Sequence, residues 1–76
     1  MEYEIFIKTS DQAQKLSRIA EKYDFDVWVH GKSGQADAKS ILGLMLLTIE
    51  NEVKLVVPDD QDTSALEMEI EEFRVR

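Results

Sequence analysis

Apolar and polar positions alternate from the start of the chain. Tyr3, Ile5 and Ile7 fall on one side, and Glu2, Glu4, Phe6 and Lys8 on the other. That period of two, with aromatic and β-branched residues, predicts a strand over residues 2–8. Thr9-Ser10-Asp11 then interrupts the pattern with residues that favour helix N-caps. Asp11 with Gln14 three positions on resembles a capping box. Leu16, Ile19, Ala20 and Tyr23 recur at helical spacing, opposite Lys15, Ser17, Arg18, Glu21 and Lys22. An amphipathic helix over about 11–22 follows.

Phe25, Val27 and Val29 alternate with Asp26, Trp28 and His30, which predicts a second strand. Gly31-Lys32-Ser33-Gly34 reads as a hairpin turn, since glycine accepts the positive φ such turns use, and Gln35–Ala38 as the short return strand. Ser40 is a good N-cap, and Ile41, Leu42, Leu44, Met45 and Leu47 suit one or two buried helical turns, with Gly43 a cost to that helix. A turn is expected at Glu50–Glu52. Val53, Leu55 and Val57 then form the inward side of a last strand, ended by Pro58. In the tail, Asp62, Thr63 or Ser64 can cap a helix with Leu66, Ile70 and Phe73 on one face. Leu66–Ile70 also alternates like a strand, but the helix propensity of Ala, Leu, Glu and Met favours the helix. The order is β-α-β-β-α-β-α. With so few helices, all must cover one face of a single antiparallel sheet.

Composition narrows the function. The 76 residues suit one small domain spanning 1–76. Nine Lys and Arg against 16 Asp and Glu give a net charge of −7, which excludes a nucleic-acid backbone or an anionic membrane surface as a partner. The absence of cysteine removes disulfides, thiolate chemistry and cysteine metal sites. A 43% hydrophobic share is that of a folded domain rather than an acidic tail. The longest apolar run, Ile41–Leu47, is far short of the ~20 residues a membrane helix needs. Met-Glu-Tyr-Glu lacks the basic start of a signal peptide, so a cytoplasmic location is expected.

The stretch Ala38-Lys39-Ser40-Ile41-Leu42-Gly43-Leu44-Met45 resembles the segment around the regulatory serine of the HPr family, the histidine-containing phosphocarriers of the bacterial sugar phosphotransferase system. Phe25–Val29 is similar to the family's second strand, and the element order fits along the whole chain. The resemblance implies an α+β open-faced β-sandwich: a four-stranded antiparallel sheet in the order 1-4-2-3, with the helices on one face. The family motif Gly-Leu-His-Ala-Arg-Pro-Ala, at the start of the first helix, meets Ser10-Asp11-Gln12-Ala13-Gln14-Lys15-Leu16 here. Aligned without gaps from Thr9, Gln12 stands at the phospho-accepting histidine and Gln14 at the arginine. A carboxamide nitrogen, its lone pair delocalised, does not form a phosphoramidate at a useful rate. The resemblance is therefore to histidine-lacking relatives of the Crh type. It implies no enzyme activity and no cofactor. It also implies phosphorylation at Ser40 by a serine kinase, docking to a transcriptional regulator of carbon catabolite repression, and a binding patch of Lys39, Ile41, Leu42 and Met45.

Several residues invite sharper readings. His30 is the only histidine, and it reads as a surface residue; a phosphocarrier with its acceptor displaced to His30 is the rival function, and a scaffold that has lost the use of both phosphosites is the other. Glu67, Glu69, Glu71 and Glu72 read as a solvated helix face, and Asp59, Asp60 and Asp62 lack the spacing of a calcium loop, so no metal site is expected. Phe6, Trp28 and Val56 lie on the polar side of their strands. In the implied strand order they would form an apolar stripe on the uncovered sheet face, suited to an interface with a second copy or another protein.

Overall fold

The computed structural model describes residues 1–47 and 52–75. Alternation of buried and exposed side chains sets the first strand, β1 (Glu2–Phe6), shorter than expected although Ile7 is still fully buried. Helix α1 (Ser10–Glu21) buries Ala13, Leu16, Ser17, Ile19 and Ala20. Strand β2 (Trp28–His30) and strand β3 (Gln35–Asp37) form the hairpin. Gly31 N–H donates to the Gly34 carbonyl at 2.8 Å, and Gly34 holds φ +153°, a value L side chains rarely adopt. Phe25 does not join the ladder; it leaves the strand to stack on Tyr23, ring centroids 5.3 Å apart.

Helix α2 (Ile41–Leu47) meets α1 and β3 on one side only. Leu44 and Leu47 are therefore buried and Ile41 partly so, while Leu42 and Met45 are exposed, not buried as their apolar character led one to expect. The turn expected at Glu50–Glu52 falls outside the described residues except for Glu52, which opens β4 (Glu52–Val56). Helix α3 (Ser64–Glu69) and a 3₁₀ turn (Glu71–Phe73) close the fold. Leu66, Ile70 and Phe73 are all buried, so the helical reading of the tail holds. The chain then turns extended: Val75 N–H donates to the Glu4 carbonyl at 3.0 Å, and Arg74 bridges Ile5, covering part of the outer edge of β1.

The sheet is antiparallel in the order β1-β4-β2-β3. Tyr3, Ile5, Val29, Ala36, Val53 and Leu55 face the helices and form the core with Leu16, Leu44 and Phe73. This is the expected open-faced α+β sandwich. The expected apolar stripe on the other face does not form. Trp28 and Val56 are direct partners, but Phe6 pairs with Glu52, four positions along β1 from Glu2, the residue opposite Val56. At about 3.4 Å per residue that is about 14 Å away. The Phe6 ring lies under the Lys8 ammonium instead, 4.9 Å from its centroid.

Candidate functional site

Two helix starts concentrate the polar chemistry that the sequence singled out. At α1 the cap is Thr9, in extended conformation, not Asp11. Thr9 Oγ1 accepts from Gln12 N–H at 3.2 Å, and Gln12 Oε1 accepts from Lys8 N–H at 2.7 Å. The cap at Thr9 thus lies two residues ahead of the Asp11–Gln14 pair expected from spacing, and the Gln12 side chain reaches back past it to Lys8 N–H. Asp11 is exposed in the first turn. The Gln12 carboxamide oxygen is therefore engaged, and the negative Asp11 stands where an incoming anion would approach.

At α2, Ser40 is exposed and its Oγ accepts from Gly43 N–H at 3.4 Å, a long contact, while Leu44 N–H donates to the Ser40 carbonyl at 3.1 Å. Lys39 does not reach toward Ser40: its Nζ donates to the Tyr23 carbonyl at 2.8 Å, and its own carbonyl accepts from buried Ser17 Oγ at 3.3 Å. The Lys39 ammonium is thus held away from Ser40, just beyond the end of α1. Beyond Ser40, Leu42 is 74% exposed and Leu46 75%, with Met45 beside them at 36%. Leu46 was not singled out by the sequence pattern. Its one signal is the four-residue spacing from Leu42, which puts both on one ridge. A shallow groove between α1 and α2 is lined by Gln14, Ser17, Arg18, Glu21, Lys39 and Ile41.

The remaining candidates lie elsewhere. His30 is exposed on the uncovered sheet face, opposite Lys54 and Gln35. The tail carboxylates are not merely solvated. Glu72 pairs with Lys15 at 2.8 Å, Glu69 with Lys22 at 2.6 Å and with the Tyr23 hydroxyl, and Glu67 accepts from Tyr3 Oη at 2.6 Å. Burial first, then the Glu69 bond, pushes the Tyr23 phenol up to about 12, and the Lys22 and Tyr23 bonds hold the Glu69 carboxyl below its usual range. Among the described residues no cluster of three His, Cys, Asp or Glu could hold a metal ion. None of their helices is long and apolar enough to cross a membrane.

A small antiparallel sheet in the order β1-β4-β2-β3 with three helices on one face is the architecture of a phosphocarrier-type open-faced sandwich. The family model described as "PTS HPr component phosphorylation site" matches residues 10–73, and the chain belongs to that HPr family of the phosphotransferase system. It is similar to the crystal structure of HPr-C-His from Thermoanaerobacter tengcongensis, with 28% identity and a TM-score of 0.77 over 96% of this chain and 90% of that one. The histidine-containing phosphocarrier protein of a mycoplasma shares the fold at 18% identity and a TM-score of 0.71, over 95% of this chain and 89% of the other. No curated protein sequence matches the chain.

Proposed function

We propose that this HPr-family chain is a non-catalytic regulatory or adaptor protein, of the Crh kind, switched by phosphorylation at Ser40. The observation that carries the reading is the engaged Gln12 side chain, whose Oε1 accepts from Lys8 N–H beside the Thr9 cap. At the position aligned with the family's acceptor histidine stands a carboxamide already bonded to the backbone, beside the carboxylate of Asp11 and without the arginine. Ser40 lies within the segment most like the family's regulatory site, exposed and followed by the Leu42, Met45 and Leu46 surface. A phosphate there adds about −1.5 to −2 charge next to an apolar ridge. A partner offering an arginine and an apolar pocket would read the two together.

The test is incubation with the family's serine kinase and ATP, and separately with the general phosphotransferase enzyme and labelled phosphoenolpyruvate. Labelling by the kinase that Ser40→Ala abolishes is the expected result, with no acid-labile label from the relay. Phosphohistidine at His30 would favour the displaced-acceptor reading, and no label in either arm would leave a scaffold.

A further inference from the structure

We infer that the uncovered sheet face, at its Trp28 end, docks a basic segment of a partner protein, with an arginine or lysine stem laid over the indole. The helices of the described residues all pack on the opposite face, so none of them covers this one. One row across the sheet reads Glu2, Val56, Trp28, Asp37. Trp28, the only tryptophan, is 37% exposed beside half-buried Val56. That apolar pair is flanked by a carboxylate at each end of its own row. Antiparallel pairing gathers further acid at the same end of the sheet: exposed Asp26, two residues before Trp28, and exposed Asp60, just beyond β4. Asp59 there is paired with the Met1 amine.

The cations lie elsewhere or are engaged. Lys54 sits two residues along β4 from Val56, 3.8 Å from Glu2, and Lys39 is held on the Tyr23 carbonyl. Lys8 and Lys32 belong to the far end of the sheet, by Phe6 and the hairpin. Glu4 and Glu52 stand toward that far end as well, so what distinguishes the Trp28 end is acid around the exposed indole with the cations placed away from it. A second copy stacked to join the two Trp28–Val56 pairs would bring these carboxylates together, so the face disfavours the homodimer that its apolar residues alone had suggested. A guanidinium or ammonium over the indole gains cation–π attraction and meets a carboxylate on either side.

The experiment titrates Trp28 emission in the intact chain with a decapeptide of alternating arginine and serine, and with its glutamate-for-arginine counterpart. A saturable emission change with the arginine peptide alone is expected. The affinity should fall about tenfold in Glu2→Gln/Asp37→Asn and should weaken with added salt. The double variant Asp11→Asn/Glu21→Gln, which removes the same charge from the helix layer, should bind as the wild type does. Equal weakening in that control would reveal general attraction to an acidic protein and overturn the proposal. So would an unchanged Trp28 emission, or a peptide-free emission that varies with protein concentration together with a sedimentation mass of two chains.

Discussion

Gly43 stands third in α2, and a Cβ added to it would lie 2.9 Å from the Cβ of Ala36 on β3. That is well inside carbon–carbon contact distance, and a β-carbon on a paired strand cannot swing aside. Helix propensity alone makes Gly43→Ala stabilising by about 1 kcal/mol. Overpacking a tight contact costs about 1–3 kcal/mol. The two opposed terms leave a net loss of about 1 kcal/mol, which for a domain of this size lowers the thermal midpoint by roughly 4–8 °C. Ala36→Gly alone should cost about 0.5–1 kcal/mol, as glycine does in a strand. Combined with Gly43→Ala it frees the overlap, so the double variant should approach wild-type stability, with a coupling of about 1–2 kcal/mol. Urea and thermal unfolding followed by circular dichroism measure all four corners of the cycle. A higher midpoint for Gly43→Ala, or strict additivity in the double variant, would refute the close approach of α2 to β3.

Thr9→Ala should lose about 1 kcal/mol in urea unfolding, and Asp11→Ala less than about 0.5 kcal/mol, since only Thr9 caps α1; the reverse order would return the cap to Asp11. The Tyr23 phenol is raised to about 12 from 10.0, so its stabilising effect is complete below pH 10 and is lost as pH rises toward 12; Tyr3 is raised too, by burial and then by its bond to Glu67. Tyr23→Phe should make the fall of the thermal midpoint over that window shallower, and an unchanged slope would contradict the Tyr23–Glu69 contact. Gln12→His should lose about 0.5–1.5 kcal/mol with the Lys8 bond and gain little phosphoryl transfer, whereas adding Gln14→Arg should raise transfer; full transfer in the single variant would show the arginine to be dispensable.

What the chain announced and what it hid divide along physical lines. The period-two alternation of Tyr3, Ile5, Val53 and Leu55 made the sheet and its buried face legible, because each side chain's side follows from parity alone. The tail resolved as helix because Leu66, Ile70 and Phe73 needed one buried face, all three being 1% exposed or less. The strand order came from resemblance, since parity says nothing about which strands are neighbours. Register was also out of reach: Phe6, Trp28 and Val56 share a face, but only pairing shows that Phe6 lies rows away beside Glu52. The cap at Thr9 was missed because Thr9, Ser10 and Asp11 all suit an N-cap, and the choice is made by backbone conformation. In α2 five apolar residues read as core, though a helix touching neighbours on one side buries only the Leu44–Leu47 stripe.

The two helix starts differ in what they leave open, and that difference bears on which of them acts. At α1, Gln12 N–H and Lys8 N–H are taken by side chains, Ala13 N–H by the Thr9 carbonyl, and the exposed charge is Asp11. A helix start attracts an anion through free N–H groups and its positive dipole end, so each internal acceptor there competes with a ligand. At α2 the hydroxyl of Ser40 accepts a long, 3.4 Å contact from Gly43 N–H and remains exposed, next to two leucines that are each about three-quarters exposed. Folding alone gives no reason to leave Leu42 and Leu46 in water, where each forgoes about 1.5–3 kcal/mol of burial. On the proposed function, a partner that reads Ser40 would cover both, since they lie one turn apart beyond it. On that function, this surface would act by presenting an apolar ridge with a modifiable hydroxyl at its head at α2, rather than by accepting a phosphoryl group at α1.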